Sequence, residues 1–455
     1  MGITDPGLGS AAGSALQPSS QPAALPGRAE TAGWNLATRL AFRFAAVYFG
    51  IFIVSGQMLT SLLFAATNDG GAFEVDYTRP VQRSIEWVAA HVLGIGHPLV
   101  TSLTGSGDRQ FDWVELACIA FLAVLGTLVW SLWDRRRAAY PALFRWAHAV
   151  ARLALGATLL SYGAAKMIPL QMPYPNLMRL IEPYGHFSPM GVLWASIGAA
   201  PGYEVFAGMA EFAAGVLLLF PRTATLGALL GLADAVQVFM LNMTYDVPVK
   251  ILSFHLILLA LFVLAPDAKR LLTTMLTNRP AAPAPDRRLF RGPRARRWPL
   301  LAQALFALYL IAGNLVPSLQ AVTVYGPKRP HSPLYGIWQV TAFSLDGVPR
   351  PPLATDATRW NRVIFDYPTA MAIEAMDDGL HRYPSTIDLA AHTITVKQTK
   401  QTDILRFTPG GADTMTIAGS LDGHRLEAAL QRTDLNKFTL VERGFHWVQD
   451  RPYNR

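Results

Sequence analysis

YEVFAGMAEFAAGVLLLFPRTATLGALLGLADAVQVFMLNM, residues 203–243, decides what kind of protein this is. Two apolar runs, Tyr203 to Phe220 and Ala224 to Met243, are joined by Pro221-Arg222-Thr223. Each run has the length of a helix that crosses a hydrocarbon core of about 30 Å. So short a link obliges the two to pack side by side, antiparallel. The few charges inside them, Glu204, Glu211 and Asp234, are costly in lipid and so invite a reason.

Working outward, further runs of this kind cover Phe44 to Ala66, Trp113 to Trp133, Ala147 to Ile168, Val249 to Ala265 and Pro299 to Leu319. The expected fold is a membrane all-α helical bundle of about seven transmembrane helices, within residues 34–320. Bulk composition agrees, with 51% hydrophobic and 15% charged residues in a chain of 455. Soluble domains carry roughly a quarter charged residues. The net charge of +8 therefore reads as a membrane feature. No basic and aromatic interleaving of the strand-binding kind occurs, so no nucleic-acid partner is expected. A single cysteine, Cys118 in an apolar run, excludes disulfides and thiolate metal clusters.

Residues 1–33, rich in Ala, Gly, Ser and Pro, read as a disordered tail and not a signal peptide. Arg39 and Arg43, Arg135 to Arg137, and nine Lys and Arg between Lys269 and Arg297 fall on one side of the expected spans. Loops rich in Lys and Arg stay cytoplasmic. That places the N-terminus inside and the C-terminal region outside, periplasmic or extracellular, in a multi-pass cell (inner) membrane protein. The basic 287–297 stretch is expected to rest on anionic lipid headgroups. Ser84 to Gly105 has helical apolar spacing broken by His, Glu and Gly, as an interfacial helix would.

A Pro-rich linker runs from Pro317 to Pro333, its core at 321–333. Beyond it, in 334–455, the period changes to two: Ile337 to Val340, Arg362 to Phe365, Thr393 to Val396 and Phe438 to Val441. Turn signals recur at Asp346-Gly347, Asp378-Gly379, Pro409-Gly410-Gly411 and Asp422-Gly423. This predicts an all-β antiparallel, barrel-like domain.

Ionisable residues within the spans are the candidates for chemistry: Lys166, Glu204, Glu211, Asp234, Lys250 and His255, with Asp246 in the loop above them. Burying each costs roughly 2.5–3.5 kcal/mol even on lenient scales. They form either a polar pocket opening to the outer half of the membrane, Lys166 pairing with Glu211 or Asp234, or interhelical glue. A bis-histidine haem is not expected, because His148 lies at the opposite face from His255. No metal site is expected. The hydrolase elbow, zinc-protease helix, phosphate loop and dinucleotide glycines are all missing from the sequence. Gly105-Ser106-Gly107-Asp108 lacks the strand and helix that would make it a phosphate loop.

The runs Ser161-Tyr162-Gly163-Ala164-Ala165-Lys166 and Gly208-Met209-Ala210-Glu211-Phe212-Ala213-Ala214-Gly215, followed by Pro221-Arg222-Thr223, resemble the DoxX/DoxD family of four-helix membrane proteins. The resemblance covers about residues 145–270. It implies a four-helix core facing a quinone or a redox partner, with Lys166 and Glu211 as the family-type polar positions. Three extra spans and the β domain depart from the compact family pattern. In the outer domain, Gly336-Ile337-Trp338 with the late Arg443 resembles the closing signature of lipocalin-like barrels, in which a guanidinium covers the indole. Two function classes follow as expectations. One is a quinone-linked redox or respiratory-complex component. The other is a non-enzymatic lipid- or small-molecule-binding or assembly protein whose β domain docks a partner.

Overall fold

The computed structural model describes residues 33–63, 65, 79–102, 104–283, 297–398 and 401–454. The expected tail, the end of the first span at Ala66 and most of the 287–297 stretch lie outside the described residues. The chain forms α1 (Leu36–Ser55), α2 (Gln57–Leu63), α3 (Arg79–His91), α4 (Gln110–Trp133) and α5 (Pro141–Met167). A connecting segment carries α6 (Leu177–Ile181) and α7 (Pro189–Gly198), and α8 (Pro201–Leu219), α9 (Ala224–Thr244), α10 (Lys250–Leu264), α11 (Ala268–Thr277) and α12 (Arg297–Ala321) follow.

Among the described residues six helical stretches are long and apolar enough to cross a membrane: α1, α4, α8, α9, α10 running on into α11, and α12. This is a multi-pass membrane protein. Large apolar side chains point away from the bundle, as on α4, where Phe121, Leu125, Leu128 and Leu132 are exposed. A patch that large would be a liability in water and is the ordinary state in lipid. The first span begins earlier than its apolar run, because Asn35 caps α1 by accepting from Thr38 N at 2.7 Å. It ends at Gly56, whose extended backbone separates α1 from α2. Arg43, one of the basic residues that set the expected orientation, is buried, donating to Tyr140 Oη, Ser131 Oγ and the Asp134 carbonyl.

The seventh long helix, α5, has 27 residues and sits at the centre of the bundle, packed by α2, α8, α10 and α12. Its charges explain why it is not uniformly apolar. His148 Nε2 meets the Val263 carbonyl at 3.0 Å, and Arg152 donates to the Leu218 carbonyl. The Leu218 acceptor belongs to the last turn of α8, whose carbonyls have no partner in their own helix. The Arg152 cation there also opposes the negative end of that helix's dipole. His148 ties α5 to α10 as a structural contact at one end of the bundle.

At the other end α5 and α8 approach closely through two pairs of glycines seven residues apart. A Cβ on Gly208 would stand 2.2 Å from Met167 N, and one on Gly163 would stand 2.5 Å from Phe212 N. A Cβ on Gly156 would lie 3.3 Å from the Gly215 carbonyl oxygen. Small residues opposite one another let backbones meet in a medium that supplies no hydrophobic drive between helices.

Beyond α12, an antiparallel meander of β1 (Gly336–Leu345), β2 (Val348–Pro349), β3 (Trp360–Phe365), β4 (Ala370–Ala375), β5 (Leu380–Asp388), β6 (Thr393–Lys397), β7 (Thr402–Pro409), β8 (Thr414–Leu421) and β9 (His424–Arg432) closes by pairing β9 with β1. Short β2 extends one edge of β1, leaving eight strands in the closed barrel. The four expected turn signals lie at hairpin tips; Asp346, Asp378 and Asp422 adopt positive φ, which Asp tolerates. Trp338, Phe343, Trp360, Phe365, Phe407 and Met415 are among the side chains that fill the interior. Closure leaves no exposed long edge.

Two expectations about the domain fail. Phe438 to Val441 is not a strand: after β9 closes on β1 the ladder is complete, and the chain turns through Leu435–Lys437 into α13 (Thr439–Glu442). Arg443 does not cover Trp338. The covering guanidinium belongs to Arg432, on β9 itself, 5.5 Å from the indole, and Trp338 Nε1 donates to the Leu334 carbonyl at 3.0 Å. The expected linker also differs, since α12 continues through Pro317 to Ala321. Arg329 then forms an ion pair with Asp366, so the remainder is held against the barrel.

The barrel docks on the bundle through α6. Leu177 and Met178 pack on Ile337, Ile364 and Ala372, which point out of the barrel, and Asp366 accepts from Leu177 N at 3.2 Å. These outward residues are the strand positions that alternate with the interior set.

Candidate intramembrane polar site

Lys166, in the last turn of α5, places Nζ 2.5 Å from Glu211 Oε2 on α8. The glycine pairing around Gly208 sets this distance, because it brings the α5 backbone against α8 one turn before Glu211. Lys166 is 8% exposed, Glu211 2% and Glu204 1%, so all three are out of contact with solvent. Glu204 occupies the first turn of α8, and Oε1 accepts from Met172 N at 2.9 Å. Asp234, half-buried and about midway along α9, is near enough to feel the charge on Lys166 but makes no direct bond to it. One cation thus stands among three carboxylates.

Tyr162, one helical turn before Lys166, donates to Gln57 Oε1 at 3.0 Å, so the start of α2 closes one side. Three buried acceptor oxygens, Glu204 Oε2, Asp234 Oδ2 and Gln171 Oε1, find no donor within the described residues. Buried acceptors are ordinarily satisfied, so orphaned oxygens on residues around one ion pair call for an explanation. The cluster is accordingly suited to accept protons and hydrogen-bond donors.

The structure brings Lys166, Glu204, Glu211 and Asp234 together and separates the other candidates from them. Lys250 lies at the rim, 3.0 Å from Asp246 and 3.8 Å from Asp108. Asp108 also accepts from Lys250 N and Ile251 N at 2.7 and 2.9 Å, capping α10 from a distant loop. The turn-rich segment around Gly107 thus supplies a helix cap. His255 is a core residue: Nδ1 meets the Ile251 carbonyl at 2.6 Å, Nε2 meets Tyr48 Oη at 2.7 Å, and its ring stacks on Phe52 at 3.8 Å. The carbonyl fixes the proton on Nδ1, leaving Nε2 to accept from the tyrosine.

Sequence reasoning missed Tyr162, Gln57, Gln171 and Asp108. Tyr162 was discoverable, being four residues before Lys166 and so on the same helix face. Nothing local marks the others; Gln57 and Asp108 join their partners across 105 and 142 residues. Among the described residues no group of three or more His, Cys, Asp or Glu could hold a metal ion.

No family model matches the chain, and no solved structure does. A segment is similar to an uncharacterized protein, YwoB, of Bacillus subtilis (strain 168), with 37% identity over 79 residues. The match takes in 17% of this chain and 51% of that protein, so the chain spans about half the length of its relative.

Proposed function

We propose that the Lys166–Glu211–Glu204–Asp234 cluster is a proton-accepting site for a quinol-type ligand, in a membrane component of quinone-linked electron transfer. The observation that carries this is the set of unsatisfied buried acceptors, Glu204 Oε2, Asp234 Oδ2 and Gln171 Oε1, beside an ammonium. A quinol brings two hydroxyl donors to such acceptors and, on oxidation, gives up two protons and two electrons. The carboxylates take the protons; the electrons pass to a redox partner protein. The DoxX-like runs around Lys166 and Glu211 support the same reading. Sidedness follows from the Lys and Arg distribution: Arg135, Arg136 and Arg137 lie at the end opposite the site, which makes that end cytoplasmic. The site and β domain then face the periplasm or the outside of a cell membrane.

The test is Glu211→Gln, purified in detergent, with bound quinone and melting temperature measured on the same sample. Loss of bound quinone is expected, together with a melting point lowered by the unpaired Lys166 but still well above the assay temperature. Normal quinone binding with reduced stability would leave the cluster as bundle glue. In that case the second reading stands, a non-enzymatic binding or assembly protein. Its support is that the barrel interior is filled by side chains, leaving the outer surface to meet a partner. Sidedness is checked in a Cys118→Ala background: Ser420→Cys should react with an impermeant maleimide in spheroplasts, and Arg136→Cys should not.

A further inference from the structure

After α13 the chain does not trail away. Arg443 lies 4.0 Å over the ring of Tyr453 and donates to Gln449 Oε1 at 3.0 Å, folding residues 443–453 into a closed loop. Gly444 supplies the positive φ of 61° that starts the turn. The loop displays an apolar tip: Phe445 is 77% exposed, Trp447 91% and Val448 82%. The two rings meet edge to face at 5.0 Å, so they form one rigid wedge. Neither ring packs against the barrel core, which is complete without them.

The position of this loop is fixed by its neighbours. Tyr174, in the segment between α5 and α8, donates to the Leu440 carbonyl at 3.3 Å, and Phe438 packs with α6. The root of the loop therefore lies against the segment that connects α5 to α8. Other exposed aromatics occupy the same end: Tyr203 in the first turn of α8, Tyr184 before α7, and Tyr325 just past α12. Tyr and Trp at the ends of spans mark the level of the headgroups.

We infer that the 443–453 loop is a membrane-interface anchor: Phe445, Trp447 and Val448 insert into the headgroup and upper acyl region of the leaflet facing the β domain. The loop pins the barrel against the bilayer and steadies α6 beneath it. Its flanking Arg443 and Arg451 suit anionic lipid, while the rings supply the apolar contact. An interfacial element of this kind sinks roughly 5–10 Å.

The full chain in nanodiscs, with Cys118→Ala, carries an environment-sensitive fluorophore at Val448→Cys, which keeps both rings. A second sample carries it at Val348→Cys, exposed on β2 beside the far end of β1. Lipids with a nitroxide on carbon 5 of the acyl chain should quench the Val448 label by roughly half or more, given that depth. Iodide should quench it weakly, and the Val348 label should behave oppositely. Adding Phe445→Ser with Trp447→Ser should make the Val448 label respond like the Val348 one. Equal iodide quenching at both sites in the parent protein would overturn the proposal. So would a Val448 label shielded from both quenchers, since that would mean a protein partner or second copy covers the loop.

Discussion

Lys166→Met and Glu211→Gln should not cost the same, and the difference measures how the cluster is charged. Removing one partner of a buried ion pair leaves the other uncompensated, at about 3–5 kcal/mol. With Glu211 neutral, Lys166 keeps two nearby carboxylates, Glu204 and Asp234, so the loss should fall toward the lower end of that range. With Lys166 gone, the buried Glu204 and Glu211 and the half-buried Asp234 are left with no cation, and the loss should reach the upper end. The double variant Lys166→Met/Glu211→Gln should be milder than Lys166→Met alone, because one of the three carboxylates has been neutralised. Unfolding in mixed micelles by increasing denaturing detergent gives the four free energies of a double-mutant cycle. A coupling energy of about 0.5–3 kcal/mol is expected for residues in direct contact. Additive losses, or Glu211→Gln costing more than Lys166→Met, would refute the idea of one cation serving several carboxylates.

Gly208→Ala should drive α5 from α8, because its Cβ would stand 2.2 Å from Met167 N; a cost of about 1–3 kcal/mol or more is expected, against almost nothing for Gly202→Ala, which has open space. Trp338→Ala should cost about 3–5 kcal/mol in thermal or chemical unfolding of the barrel. Arg443→Ala, on the exposed loop, should stay within about 0.5 kcal/mol, and the reverse order would restore Arg443 as the closing residue. Asp366→Asn weakens its links to Arg329 and Leu177 N, so amide exchange across 170–182 should quicken. Unchanged exchange there would mean that apolar packing alone holds α6.

The sequence by itself determined most of the spans and the turns, though not where the first span starts and stops. Apolar length is a local property, and lipid obliges every backbone group to bond within its own helix, so runs such as 224–243 could become little else. Asp-Gly pairs fix hairpin tips just as locally, through the φ values they permit. The Lys166–Glu211 pairing was one of two options, since helix order put both carboxylates within reach of Lys166. Only the tertiary structure chose between them: the glycine contact at Gly163 and Gly208 sets the rotation of α5 on α8, and that rotation aims Lys166 at Glu211. It also decided what pattern could not. His255 turns toward Tyr48 on α1, and Lys250 is held at the rim by Asp108 from a distant loop. Arg432 and Arg443 are both arginines near the end of the same domain, and composition does not rank them. The barrel does, because closing β9 on β1 carries Arg432 over Trp338 and leaves Arg443 beyond the last strand, free to fold its own loop.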